Sequence, residues 1–242
     1  VTLGFDAYAA IVREMTVPFK NPDQIRKIIK FESEGQLFSF GIDEVVIDFV
    51  RVRENPDSSD LLVLAVVKDL LAEKLRVLED AYVDPLSVDI DLLAHFNTLS
   101  ITPYPDENKC FVLVDIGYKA TKILVVESGK PVLLRGLRAG MGSIVAAVQH
   151  ETALALPAAE AKVMQRLPEV AGELTVEGPD EEVMVVLPDD EDMPDASDIE
   201  RSREDLEDEL LVAKTAAVRA RIVREINRSL AGLNTEHAPE II

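Results

Sequence analysis

The stretch from Phe111 to Gly142, FVLVDIGYKATKILVVESGKPVLLRGLRAGMG, leaves a polypeptide few ways to fold. Short apolar runs rich in β-branched residues predict strands at Phe111 to Ile116, Thr121 to Glu127 and Pro131 to Arg138, with a glycine in each intervening turn. Strands this short and this closely spaced form a meander, and a meander with so little polar alternation needs cover on its faces. The first turn carries a distinctive set of groups. Asp115 and Gly117 stand where the first strand ends and Thr121 opens the second, so a carboxylate, a bare backbone and a hydroxyl converge on one hairpin tip.

Such a tip has a chemical use. An Asp and a Thr can hold a magnesium ion through its water, and backbone amides beside a glycine can approach phosphate oxygens. The same residues also make ordinary turns, and that reading stands beside the first. Further on, Gly140 and Gly142 flank Met141 just before a predicted helix from Ser143 to Glu151. A glycine-rich start to a helix can receive an anion on free amides, or can simply be a tight turn.

The remaining chain sets bounds on partners. A net charge of -20 over 242 residues excludes a general nucleic-acid or anionic-membrane surface, because both are polyanions. A local nucleotide site is still compatible with that charge. With 48% apolar residues the sequence supplies a core, and no apolar run approaches the roughly 20 residues of a membrane span. The single cysteine, Cys110, rules out an internal disulfide, fits a reducing cytoplasm and reads as a small buried hydrophobe. Three scattered histidines argue against zinc. No secretory signal is expected at Val1, and the missing initiator methionine predicts that the sequence begins inside a longer protein.

Residues 1–104 read as a first lobe. Val1 to Gly4 and Ala10 to Val17 are predicted strands, the latter ended by Pro18. Asn21 is placed to cap a helix that starts at Pro22, buries Ile25, Ile28 and Ile29, and stops near Gly35. Glu44 to Arg53 alternates as a strand, and Leu61 to Val67, apolar throughout, is predicted to be central and covered on both sides. A helix with Leu71, Leu75, Leu78 and Tyr82 along one face follows, then a short strand at LSVDI and a helix carrying Leu92, Leu93 and Phe96. His95 is expected to be packed or exposed, with no ligand role.

Residues 105–242 read as a second lobe, joined through the polar cluster PYPDEN. It holds the meander, the helix from Ser143, a helix from Pro157 to Leu167, and an acidic segment at about 173–198 whose like charges resist packing. A long helix is predicted over about 199–230, on which Leu211, Val218, Ile222, Ile226 and Leu230 keep helical spacing. Glu225 and Arg228, three residues apart, lie on neighbouring positions of one face and form at least an ion pair. The order of elements gives an α/β or α+β class with helices on mixed sheets.

DIGYKAT, followed by a meander and RAGMGSI, resembles the second phosphate motif of the actin-like ATPase superfamily. NPDQIRKIIKFESEGQLFSFGIDEVVIDF is similar to the segment of the PilM family of type IV pilus assembly proteins in which a Glu-rich helix leads to an alternating strand. That resemblance implies a two-lobed actin-like fold of the ribonuclease H type, with a small FtsA/PilM-type subdomain inserted at about 10–87. It implies ATP and magnesium as cofactors of the complete protein, with Asp115 holding the metal through water, Gly117, Thr121, Gly140 and Gly142 around the phosphates, and Glu225 and Arg228 at the adenosine. No catalytic residue is implied, because the first phosphate loop and the final Gly-Gly adenosine loop are not in this sequence, and one hairpin cannot stabilise a transferred phosphoryl group from two sides. The implied role is a cytoplasmic scaffold, peripheral at the inner membrane through the tail of a PilN-like partner, with self-association also open to it. A working ATPase or kinase of the same superfamily, and a GspL-like scaffold of type II secretion, are the alternatives.

Overall fold

A computed structural model describes residues 1–35, 40–102, 110–171, 213, 216–218, 220–225, 227–228 and 240–241. The expected linker at PYPDEN, the acidic segment at about 173–198, and Leu211, Ile226 and Leu230 lie outside the described residues. The chain forms two compact units, the first of residues 1–115, 122–136 and 239–242, the second of residues 116–121 and 137–238. The meander thus belongs largely with the N-terminal residues, because its apolar side chains complete their core.

The first unit is organised on β4 (Ser59–Val67), which lies between β2 (Ile11–Val17) and β3 (Val45–Glu54) in an antiparallel sheet. Met15 pairs with Leu61 on one side of β4 and Ile47 with Ala65 on the other. Successive side chains of a strand point to opposite faces, and here both faces are covered. Leu61 and Val63 pack with Met15, Val17, Ile25 and Ile29. Leu62, Leu64 and Val66 pack instead with Phe5, Leu92, Phe111, Leu124, Val126 and Leu134. The apolar run therefore became a central strand, as its lack of alternation predicts.

The helix that covers the first face, α1 (Pro22–Glu34), begins as its sequence dictates. Pro22 takes the first helical position, and the Asn21 side chain accepts a hydrogen bond from the Asp23 amide at 2.8 Å. After β4 comes α2 (Lys68–Asp80), which stops short of the expected stripe. Tyr82 leaves that stripe altogether: it sits at φ 57° in the left-handed region and is 98% exposed. Its amide and that of Val83 donate to the carbonyls of Glu79 and Leu78, which ends the helix as glycine usually does. Pro85 lies just beyond and bars continuation.

The chain then forms β5 (Ser87–Ile90), parallel to β1 (Thr2–Phe5), and α3 (Asp91–Leu99). The meander follows as β6 (Cys110–Ile116), β7 (Thr121–Glu127) and β8 (Lys130–Leu137). Ser128 and Gly129, both at positive φ, make the two-residue turn between the last two. The sheet order is β8, β7, β6 and then β9 (Glu240–Ile241), a short strand parallel to β6 with Phe111 opposite Glu240.

In the second unit α4 (Met141–Thr152) packs on α5 (Leu156–Ala171) through Ile144, Val145, Val148, Ala159 and Val163. The described residues between 213 and 228 are helical, with Val218 against this cluster and Ile222 buried, in keeping with the helical spacing read from the sequence.

Leu61 and Leu62 are adjacent, almost fully buried and face opposite ways. Leu61→Ala and Leu62→Ala are each expected to lower stability by about 2–5 kcal/mol in urea unfolding. A strand covered on one side only would give one large loss and one near zero.

Candidate functional site

The two residues that open β7 have opposite surroundings. Thr121 is fully buried, and its hydroxyl donates to the Ala139 carbonyl at 2.7 Å. Lys122, the next residue, carries the only charge in the run Thr121 to Val126 of an otherwise apolar strand, and its side chain is 13% exposed. A lysine held that far from water must find opposite charge. It finds three carboxylates: Asp91 at 2.5 Å, Asp6 at 3.3 Å and Asp115 at 3.4 Å.

Each of these acids also has a local role. Asp91 starts α3, and its Oδ1 accepts from the amides of Leu92 and Ala7 at 2.7 and 2.9 Å. Asp6 caps the 3₁₀ turn Ala7–Ala9 by accepting from the Tyr8 amide. Asp115, near the end of β6, is 28% exposed at its side chain. Burial opposes the charge on Lys122, but the hydrogen bond and charge of Asp91, and then Asp6, override it and hold the ammonium well above the ordinary lysine value of 10.5. Among the described residues no group of three or more His, Cys, Asp or Glu side chains is arranged to hold a metal ion. These three acids are arranged around the ammonium.

The turn after Asp115 is closed by its own backbone and by the start of α4. The Gly117 amide donates to the Ala120 carbonyl at 3.0 Å. The Met141 amide donates to the Gly117 carbonyl at 3.0 Å, the Gly142 amide to the Tyr118 carbonyl at 2.8 Å, and the Ser143 amide to the Gly140 carbonyl. The first two amides of α4, which a helix leaves without intrahelical partners, are thus satisfied by the hairpin tip, and the third turns back to Gly140. The glycines make this approach possible. A Cβ on Gly140 would lie 2.6 Å from the Tyr118 carbonyl oxygen and closer still to that of Gly117. One on Gly142 would meet the Tyr118 ring at 2.8 Å. The phenol of Tyr118 reaches Glu160 on α5 at 3.1 Å, and that hydrogen bond raises the tyrosine pKa.

Of the residues singled out in the sequence, Gly117, Thr121, Gly140 and Gly142 therefore come together as one joint between turn and helix. Asp115 is held by Lys122 in the first unit. Glu225 and Arg228 pair with each other at 3.0 Å, with Arg228 78% exposed. Cys110 is buried, and burial, followed by the charge of Glu127, pushes its thiol up. Sequence reasoning missed Lys122, Asp6 and Asp91. The signal was the one charge in the run Thr121 to Val126, which demanded a partner that no local pattern names.

Magnesium is a hard cation that takes carboxylate oxygen and water; Asp115 supplies one half-buried carboxylate of that chemistry, and the Lys122 ammonium lies 3.4 Å from it.

Comparison with known proteins adds the following. The family model "Type IV pilus assembly protein PilM" matches residues 1–179. No curated protein matches the chain. Among solved structures, a PilM-PilN type IV pilus biogenesis complex superposes with a TM-score of 0.58 at 23% identity, covering 69% of this chain and 53% of that one. The cytoplasmic domain of EpsL, an inner-membrane component of the type II secretion system of Vibrio cholerae, matches with a TM-score of 0.41 at 14% identity, covering 61% of this chain and 53% of that one. The chain thus spans about half the length of each. The first likeness shows the mixed helix and strand, actin-like fold. Among the described residues no helix is long and apolar enough to cross a membrane.

Two measurements check this geometry. Gly140→Ala is expected to destabilise the protein by about 3 kcal/mol, because backbone stands where the Cβ must go. Gly4→Ala, with nothing within 4 Å of its Cβ, is expected to be nearly neutral in the same unfolding series. Because the folded pKa of Lys122 is raised, its contribution is complete below about pH 10.5 and is lost as pH climbs through the folded value. Lys122→Met should therefore cost the same stability at pH 7 and pH 9, and the gap to wild type should narrow above pH 10.5.

Proposed function

The chain belongs to the PilM family of type IV pilus assembly proteins, and on that premise we propose that it is the part of an actin-like assembly scaffold that carries the second phosphate hairpin. The observation that carries this reading is the family match over residues 1–179, which includes the meander with Asp115 and the α4 start. In the complete protein ATP and magnesium are the proposed ligands. Asp115 would hold the metal through water, and the metal would neutralise charge on the nucleotide phosphates. Gly117, Thr121, Gly140 and Gly142 serve this site by fixing the shape of the hairpin tip. The amides of Gly117 and Gly142 already have carbonyl partners, which supports a shaping role. Glu225 and Arg228, on one helical face, are the residues proposed for the adenosine.

The proposed partner is the cytoplasmic tail of a PilN-like inner-membrane protein, as the solved PilM-type complex contains PilN. Its recruitment would place the protein at the inner membrane from the cytoplasmic side. Nucleotide then acts as a conformational ligand that sets the state in which the partner is bound.

Calorimetric titration of magnesium and ATP into the complete protein tests the reading. Asp115→Ala is expected to abolish magnesium-dependent ATP binding and to leave circular dichroism unchanged. Equal affinity of the variant and wild type would remove the nucleotide from this hairpin.

A further inference from the structure

Lys122 sits among three carboxylates and so leaves more negative than positive charge in its neighbourhood, yet its three contacts are unequal. The ammonium is 2.5 Å from Asp91 and 3.4 Å from Asp115. Asp91 is fixed by two backbone amides and Asp6 by one, whereas Asp115 is the proposed metal-holding carboxylate at the mouth of the hairpin. A cation competing for Asp115 therefore has to break only the longest of the three contacts. Lys122 need not move from its place on β7, because Asp91 and Asp6 retain it.

We propose that Lys122 is the resident counter-cation of Asp115, a positioning residue that holds this carboxylate when no divalent ion is present and competes with the ion for it. The proposal rests on the nucleotide reading above and adds the control of that site. The physical cause is charge alone. An ammonium against the carboxylate offsets the charge that a divalent cation would use, and the half-buried setting limits the screening of that effect by water and salt. With Asp91 as its firmest partner, Lys122 yields Asp115 at lower cost than a lysine held by Asp115 alone. Metal affinity is thereby set by the balance among Asp91, Asp6 and Asp115.

The test is manganese binding, read by electron paramagnetic resonance, in the complete protein with saturating ATP. Lys122→Gln should bind manganese about tenfold more tightly than wild type, since it removes a positive charge beside the ligand. Lys122→Arg should restore wild-type affinity. Lys130→Gln removes the same charge from an exposed turn and should change affinity by less than about twofold. Asp91→Asn keeps the oxygen that caps Ala7 and Leu92 but releases Lys122 towards Asp115, and should weaken binding about threefold. Opposite shifts from neighbouring substitutions cannot come from general loosening, and Asp91→Asn decides the matter alone if Lys122→Gln fails to fold. Affinities equal to wild type in both variants, with Asp115→Ala still abolishing binding, overturn the role of Lys122 and leave the nucleotide reading intact. If wild type shows no binding that depends on Asp115, the nucleotide reading falls and this proposal with it.

Discussion

The arrangement around Thr121 and Lys122 depends on one constraint: a strand that is apolar from Ile123 to Val126 begins with two polar residues whose surroundings differ completely. Thr121 is buried and has only the Ala139 carbonyl to satisfy its hydroxyl in the described contacts. Lys122 brings a full positive charge into a place with little water and is stable there only because Asp91, Asp6 and Asp115 stand around it. Neither residue can be moved one position along β7 without turning its group onto the wrong face. The register of the meander is fixed as much by these two polar demands as by the apolar residues that follow.

That constraint bears directly on the glycine-rich segment that precedes α4. A glycine-rich turn ahead of a helix suggests free amides waiting for an anion. Here the amides of Met141 and Gly142 already serve the carbonyls of Gly117 and Tyr118, and the two glycines are what let the backbones come this close. The hairpin tip and the start of α4 are therefore one preformed piece. Asp115 itself is paired with the Lys122 ammonium at 3.4 Å.

Much of the fold was legible in the sequence, for identifiable reasons. The meander and the central β4 were readable because strand length, β-branching and the absence of alternation all pointed one way, and burial on both faces of Leu61 to Val66 followed from that. The start of α1 was readable because Asn21 and Pro22 act locally. Tyr82 was misread: its spacing from Leu78 suits a helix, but the chain turns into the left-handed region at Tyr82 ahead of Pro85. The partners of Lys122 could not be read. Asp6, Asp91 and Asp115 are far apart in sequence, and only the pairing of β1 with β5 and the placement of β7 assemble them. For the glycines the sequence marked the right positions, and the structure supplied their use as points of close approach.

The most direct test of this account is amide hydrogen exchange by NMR at Met141 and Gly142 in the complete protein, with and without magnesium and ATP. Slow exchange in both states is the predicted result, because these amides are bonded to the carbonyls of Gly117 and Tyr118 whether or not nucleotide is present. Fast exchange that becomes slow only on adding nucleotide would contradict the account. It would mean that the helix start is open and receives the phosphate itself.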